Sequence, residues 1–197
     1  FAMSKLDREN ASFDRTLESI QERFGRTAVP VQIPIGSEHD FEGVVDLITM
    51  KAFKFDKEGL GKMTTGEIPG DLADRAAEMR SALVEMVAES DESLMETFFE
   101  AGDLTEQQLI EGLRKGVVGR TVYPVFCTSG THAIGIQPFM DALAEMVPAP
   151  GARGEALGSK PDGDEELKRQ VTPDQPVSLF VFKTIADPFA GRITMFR

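Results

Sequence analysis

Two apolar, strand-like runs that each end in a short polar loop constrain most strongly how this chain can fold. The first run is Phe1-Ala2-Met3, and it is followed by Ser4-Lys5-Leu6-Asp7. The second run covers residues 122–127, and it is followed by Thr128-Ser129-Gly130-Thr131. Open α/β sheets bind ligands at the carboxyl ends of their strands, where such loops lie. The sequence therefore predicts that the two loops meet at one edge of an α/β sheet.

The two loops carry groups that suit a planar base. A carboxylate such as that of Asp7 accepts two parallel hydrogen bonds from guanine, whose ring N–H and exocyclic amine lie side by side. Adenine lacks this pair and would leave the carboxylate unpartnered. The methylenes of Lys5 would lie along the base, and backbone N–H groups of the Ser129-Gly130 turn would face its ring oxygen. An ordinary solvated turn is the alternative for either loop taken alone.

The order of the predicted elements indicates an insertion within an α/β sheet. Strand, helix and strand come first, then a β-hairpin and three acidic helices, then strand and helix, and finally a polar segment and a second β-hairpin. The expected strands are 28–35, 41–47, 50–55, 122–127, 177–184 and 192–197. The expected helices are 10–24, one capped by Asp71, 91–100, one opened by a capping box at 105–108, and 137–147. The Gly-rich stretch 57–70 is expected to be irregular.

Composition limits the classes of protein to which the chain can belong. The apolar fraction of 41% and the mixed charges are typical of a soluble globular protein. A net charge of -12 argues against a chain that grips nucleic acid over most of its surface, but it suits a basic protein partner. The single cysteine, Cys127, excludes an internal disulfide, so a reducing compartment is expected. No apolar run approaches membrane-spanning length.

Short motifs follow one another along the whole chain. They are Lys5-Leu6-Asp7-Arg8-Glu9-Asn10, Pro34-Ile35-Gly36, Phe41-x-Gly43-Val44-Val45-Asp46, Met50-Lys51-Ala52, Pro124-Val125-Phe126-Cys127-x-Ser129, and Phe182-Lys183-Thr184-x-Ala186-Asp187-Pro188-Phe189-x-Gly191-Arg192. In this order and at this spacing the chain resembles translation elongation factor G. The third and the last of these motifs are the most specific.

The resemblance implies a fold class and a domain plan. The fold is α/β: the C-terminal part of a P-loop GTPase domain with an inserted α+β subdomain, followed by the first hairpin of a β-barrel domain. On this plan residues 1–35 and 118–150 belong to the GTPase domain and residues 36–117 form the inserted subdomain. Residues 151–175 are a linker, and residues 176–197 begin the barrel. Both termini lie in strand-like runs, so the chain is expected to be an internal piece of a larger protein.

The resemblance also implies a site and an activity. The residues that would contact a guanine nucleotide, GTP or GDP, are Ser4, Lys5, Asp7, Ser129, Gly130 and Thr131. The parent protein would be a cytoplasmic, monomeric GTPase that promotes translocation of tRNA and mRNA during polypeptide elongation. Its partners would be the ribosome, including the stalk protein and ribosomal RNA, with no membrane involved. Catalytic residues and the Mg²⁺ site would lie outside this chain.

Two residues depart from the pattern of the family. Ser4 stands where Asn is usual, and Ser is too short to brace the site against a phosphate loop. Gly130 stands where Ala is usual, which a contact through the backbone N–H would tolerate. These departures favour a divergent paralogue as readily as the main translocase.

The sequence contains no Gly-x-x-x-x-Gly-Lys-Ser/Thr phosphate loop. Without backbone amides, a Lys and Mg²⁺ on the phosphates, GTP hydrolysis has no catalytic apparatus. The 197-residue chain alone is therefore expected not to hydrolyse GTP.

Several features have plainer alternatives. The acidic helices form either a solvated face or a docking face for the ribosomal stalk protein, so a non-catalytic docking module is the first alternative function. A release-factor or ribosome-protection GTPase is the second. The Asp187 to Arg192 turn is either a tight β-turn or a place where Arg192 contacts RNA phosphate. Cys127 is expected to be a packing residue, and His39 and His132 to be surface residues without partners.

Overall fold

A computed structural model describes residues 1–58, 61–159 and 165–197, and it has a mixed α/β architecture with a parallel sheet. Contacts group Phe1–Val147 into one compact unit and Pro148–Arg197 into a second. The strands are β1 (Ala2–Met3), β2 (Ala28–Pro30), β3 (Gln32–Ile35), β4 (Gly43–Asp46), β5 (Lys51–Phe55), β6 (Met63–Gly66), β7 (Tyr123–Cys127), β8 (Glu155–Ser159), β9 (Glu166–Gln170), β10 (Val181–Asp187) and β11 (Gly191–Phe196). The helices are α1 (Phe13–Phe24), α2 (Ala73–Ala88), α3 (Glu92–Ala101), α4 (Glu106–Gly119) and α5 (Ile136–Met146).

A three-stranded parallel sheet of order β1-β7-β2 organises the first unit. Met3 of β1 lies opposite Cys127 of β7, and Ala28 of β2 lies opposite Tyr123. Strands β1 and β7 therefore end side by side, although more than a hundred residues separate them in the chain. The predicted parallel sheet and its helices are confirmed at this level.

The strand predicted over residues 28–35 is two strands that belong to two sheets. Val31 lies at the switch, since its N–H donates to the carbonyl of Val125 in β7 and its own carbonyl accepts from the N–H of Leu47. Strand β3 then pairs with β4 in an antiparallel sheet of order β3-β4-β5-β6. The antiparallel sheet of the inserted region therefore begins at Gln32, four residues before the predicted domain boundary.

The inserted sheet has four strands where the sequence predicted a hairpin. Strand β6, which pairs with β5, lies within the stretch 57–70 that was expected to be irregular. Its residues are mostly exposed, so no alternation of apolar side chains marks it. Positions 59–60 of that stretch lie outside the described residues.

Local capping sets where the helices begin. Helix α1 begins at Phe13, after the predicted start, because Ser12 caps it by accepting a hydrogen bond from the Arg15 N–H at 3.3 Å. The predicted capping box at Thr105 and Gln108 is present at the start of α4. Asp71 is not the cap of α2, since it lies in the 3₁₀ turn Gly70–Leu72 and α2 begins at Ala73.

One of the two most specific motifs, residues 41–46, has a structural explanation. The ring of Phe41 is fully buried, and a Cβ added at Gly43 would lie 2.3 Å from the carbonyl oxygen of Phe53 on the neighbouring strand. Asp46 accepts hydrogen bonds at Oδ1 from the N–H groups of Ile48 and Thr49, which fixes the turn between β4 and β5. Burial raises the pKa of Asp46, while these hydrogen bonds oppose the rise.

Arg80 of α2 joins the inserted sheet to the α3–α4 connection. Its Nη1 donates to the carbonyls of Leu47 at 2.7 Å and Ile48 at 2.8 Å, and its Nη2 donates to the carbonyl of Leu104 at 3.1 Å. The side chain is only 16% exposed, and it lies 3.4 Å from the carboxylate of Asp103. One guanidinium thus donates to three backbone carbonyls that lie outside the strands.

Replacing Arg80 with Ala is expected to lower the free energy of unfolding by about 2 to 3 kcal/mol, because partly buried carbonyls lose a charged donor. Arg114→Ala is the matched control: Arg114 is an exposed residue of α4, and its loss should change stability by less than about 0.5 kcal/mol. Urea unfolding of both variants measures the difference. Equal losses for the two would contradict the role given to Arg80.

The second unit contains two antiparallel pairs, β8 with β9 and β10 with β11. The prediction that residues 151–175 form a linker or loop is wrong for 155–159 and 166–170, which are strands. Both strands are mostly exposed and lack a buried apolar face, so a ladder of backbone hydrogen bonds defines them rather than an apolar pattern. Positions 160–164 lie outside the described residues.

In the β10–β11 turn, Oδ1 of Asp187 accepts from the N–H groups of Phe189 and Ala190.

Within the described residues, no helix combines the length and the apolar character needed to cross a membrane.

Candidate functional site

The loops that follow β1 and β7 lie against each other. The N–H of Thr128 donates to the carbonyl of Met3 at 2.8 Å, and its hydroxyl donates to the same carbonyl at 3.1 Å. The N–H of Leu6 donates back to the carbonyl of Thr128 at 3.4 Å. The predicted convergence of the two loops at one edge of the parallel sheet is therefore present in the structure.

The carboxylate of Asp7 lies at the centre of this junction. Its side chain is 6% exposed, and its Oδ1 is buried without a hydrogen-bond partner among the described residues. Its Oδ2 lies 3.7 Å from Nε of Arg8 and 4.0 Å from Nε2 of His132. A buried polar atom without a partner is costly, so Oδ1 is a position where a ligand with an N–H donor would fit.

The pKa of Asp7 reflects opposing effects. Burial raises the pKa, whereas the nearby Ser129 side chain and the backbone N–H of Asp7, together with the positive charges of Arg8 and His132, lower it. The net effect is a pKa below the ordinary value for Asp, so the carboxyl group is ionised at neutral pH. An ionised carboxylate presents only acceptors, as contact with two N–H donors requires.

This lowered pKa predicts how stability depends on acid. A carboxyl group with a lower pKa in the folded state stabilises the fold above its unfolded pKa of about 4, and this contribution is lost as the pH falls through the folded pKa. We therefore expect the stability difference between the wild type and Asp7→Asn to be constant above about pH 5 and to change below about pH 4. Urea unfolding across this range measures it. If the stabilities of the wild type and Asp7→Asn fall in parallel down to pH 3, the lowered pKa of Asp7 in the folded state is contradicted.

The second loop offers fewer free donors than the sequence suggested. Ser129 is fully buried, its N–H donates to the carbonyl of Ile134 at 2.9 Å, and its Oγ accepts from the His132 N–H at 3.4 Å. The Ser129 N–H is therefore not available to a base. The backbone N–H groups of Gly130 and Thr131 have no partner within the described part of the chain, and both residues are exposed.

The first loop holds Lys5 in a left-handed conformation with φ of 62°, and its carbonyl accepts from the N–H of Arg8 at 3.1 Å. The Lys5 side chain is exposed and free to lie along a ligand. Ser4 is exposed too.

Two residues of the site were not identified from the sequence. Arg8 contacts Asp7 and donates from Nη2 to the Thr131 hydroxyl at 3.3 Å, so it links the two loops. His132 was expected to lack a partner, yet it is half-buried beside Asp7, and that expectation is wrong. His39 is exposed as expected. Cys127 is buried as expected, and burial raises the pKa of its thiol far above the ordinary value.

In the described ranges, no group of three or more His, Cys, Asp or Glu side chains is placed to hold a metal ion.

Comparison with known proteins supports the fold and does not identify a family. No protein-family model matches the sequence. A solved structure, that of ttk003000868 from Thermus thermophilus, is similar over the whole of this chain with a TM-score of 0.73 and 24% sequence identity. The match covers 26% of that protein, so this chain spans about a quarter of its length. At this level of identity the similarity shows a shared fold alone.

Proposed function

We propose that the first unit is part of a guanine-nucleotide-binding domain, and that the two loops after β1 and β7 contact the base. The observation that supports this most strongly is the buried, ionised carboxylate of Asp7, whose Oδ1 has no partner among the described residues. Guanine would supply two N–H donors to that carboxylate, and the free N–H groups of Gly130 and Thr131 would face its ring oxygen.

Within this class, the parent protein is a ribosome-dependent translational GTPase of the elongation factor G type, located in the cytoplasm and acting in translocation. The motif order from Lys5 to Arg192 supports this assignment. The second unit would begin the β-barrel domain of such a factor. Exposed apolar side chains on its hairpin, such as Phe182 at 56% and Phe196 at 57%, suit strands that pair within a larger sheet.

The base would reach Asp7 by displacing the side chains beside it. Arg8 and His132 border Oδ2 with 61% and 38% of their side chains exposed, so both have room to rotate. Binding would then replace the ion pair with Arg8 at 3.7 Å and the contact with His132 at 4.0 Å by two direct hydrogen bonds.

Titration of the chain with GDP and with ADP, followed by amide NMR, tests the proposal. We expect GDP to shift the resonances of residues 4–8 and 128–132 and ADP at the same concentration to leave them unchanged. The affinity will be weak, since no phosphate loop contributes. Equal shifts from both nucleotides, or none from either, would overturn the base site.

A phosphate-release assay with GTP on the same purified protein tests the expectation that this chain alone does not hydrolyse GTP. Phosphate release should equal the uncatalysed background, because no group in the sequence would hold the γ-phosphate or Mg²⁺. Release above background that follows the protein through purification would contradict it.

A docking face for the ribosomal stalk protein is a second candidate function, and the acidic helices favour it. The acidic residues predicted to point outward are all exposed: Asp74, Glu78, Glu85, Glu89, Glu92, Glu96, Glu100, Asp103, Glu106 and Glu111. Phe99 of α3 lies among them and is 79% exposed. Binding of the stalk protein's C-terminal domain should weaken with added salt and with Phe99→Ala. If no salt-sensitive binding is seen, the helices form a solvated face.

A further inference from the structure

Each of the two base loops holds at least one residue other than glycine in the left-handed backbone region. Asn10 has φ of 63° in the first loop, and Ala133 has φ of 53° in the second. Such a conformation costs a residue with a Cβ, such as Ala, about 1 kcal/mol or more, and it costs Asn less. It persists only where surrounding contacts hold it. Both residues are contacted by the inserted region.

Glu38 of the inserted region holds the first loop. Its Oε1 accepts a hydrogen bond from the backbone N–H of Asn10 at 2.8 Å. Glu38 lies in the turn between β3 and β4, and it also has a left-handed backbone with φ of 51°. On the other side of Asn10, its carbonyl accepts from Nη2 of Arg15 at 2.6 Å. The peptide groups on both sides of the unfavourable conformation therefore have partners.

Gly61, in the connection between β5 and β6, holds the second loop by close packing. A Cβ added at Gly61 would lie 2.7 Å from the Cβ of Ala133 and 2.9 Å from its carbonyl oxygen. Only a residue without a side chain fits this approach. The two turns of the inserted region are themselves joined, since Nζ of Lys57 donates to the carbonyl of His39.

We infer that the inserted region positions both base loops, with Glu38 as the positioning residue for the loop that carries Asp7 and Gly61 as the contact that shapes the loop that carries Ser129. The inference rests on the proposed function for its consequence, which is that changes in these two turns alter the affinity for guanine nucleotide. Neither residue touches the base. They act through Asn10 and Ala133.

Amide hydrogen exchange tests the role of Glu38 without any nucleotide. In Glu38→Ala the amide of Asn10 should exchange about tenfold faster, because it loses its acceptor. Glu38→Gln keeps an acceptor oxygen and should restore most of the protection. Asp40→Ala, in the same 3₁₀ turn, is the control and should leave the Asn10 amide unchanged. Unchanged exchange in Glu38→Ala, or no rescue by Gln, would overturn this role.

Nucleotide titration tests the consequence for binding. Glu38→Ala and Gly61→Ala should each weaken GDP binding about fivefold, whereas Glu38→Gln should not. Gly25→Ala is the control for Gly61→Ala, because Gly25 has a similar φ of 75° but nothing within 4 Å of an added Cβ. Gly25→Ala should lower stability and leave GDP binding unchanged. Equal losses of binding in the two glycine variants would overturn the inference.

The two proposals fail in different ways. If the wild type binds no guanine nucleotide, the proposed function fails, and the exchange measurement still decides whether Glu38 orders the loop. If the wild type binds GDP and Glu38→Ala binds it equally well, the base site stands and the positioning role is overturned.

Discussion

Asp7→Asn is expected, on the proposed function, to transfer the base preference from guanine to xanthine. Guanine presents two N–H donors to the carboxylate, and an amide can accept from only one of them. Xanthine has a carbonyl in place of the exocyclic amine, so the Asn side chain would accept from its ring N–H and donate to that carbonyl. Loss of a charged hydrogen bond and an unpaired donor should weaken GDP binding about 100-fold.

The titrations compare GDP and xanthosine diphosphate on the wild type and on Asp7→Asn. Glu9→Gln is the matched control, because it removes the same charge from an exposed residue of the same loop. It should leave the preference for GDP intact. Asp7 would not distinguish the bases if Asp7→Asn weakened the binding of both nucleotides alike, or if Glu9→Gln weakened GDP binding as much. Asp7 would then contribute only its negative charge.

Gly135→Ala is expected to lower the free energy of unfolding by about 3 to 5 kcal/mol, the largest effect of any single substitution considered for the second loop. Gly135 has φ of 71°, and a Cβ there would lie 2.1 Å from the carbonyl oxygen of Cys127. That carbonyl belongs to β7, the central strand of the sheet, which is paired with β1 and β2 on its two sides. The clash must therefore distort the loop.

Gly130→Ala is the matched control, with the same change of residue five positions earlier. Nothing lies within 4 Å of a Cβ added at Gly130, and its φ is not in the left-handed region. Its stability should stay within about 0.5 kcal/mol of the wild type. Urea unfolding measures both variants. A Gly135→Ala variant as stable as Gly130→Ala would mean that the loop rearranges freely, which would also argue against a preformed base site.

The meeting of the two loops could be predicted from the sequence, because it depends only on where two parallel strands end. The runs before Ser4 and before Thr128 are apolar and short, and the loops that follow them are polar. Because parallel strands place their carboxyl ends at one edge, convergence of Asp7 and Ser129 followed from the pattern once the two strands were taken as neighbours.

The contacts around Asp7 were not predictable in the same way. His132 lies beside Asp7, although 125 positions separate them in the chain. Glu38 lies beside Asn10, although 28 positions separate them. Which side chain meets which loop depends on the register of Met3 opposite Cys127 and on backbone turns at left-handed residues. Neither leaves a periodic signal in the sequence.

The errors in the fold prediction share a physical cause. Strands β6, β8 and β9 are mostly exposed and have no buried apolar face, so backbone pairing alone defines them. The switch at Val31 lies inside one mostly apolar run, and hydrogen bonds to Val125 and Leu47 divide it. Apolar periodicity reports which side chains are buried, and it does not report which strand a backbone pairs with.

The sequence by itself determined the helices, the apolar strands and the chemistry of the two loops, because these depend on side-chain periodicity, capping and residue type within a few positions. Only the tertiary structure decided that Asp7 is buried with an oxygen that no described residue partners, that the Ser129 N–H is already used, and that the inserted region contacts both loops. Those features depend on strand register and on contacts between distant turns, which are fixed only when the whole unit packs.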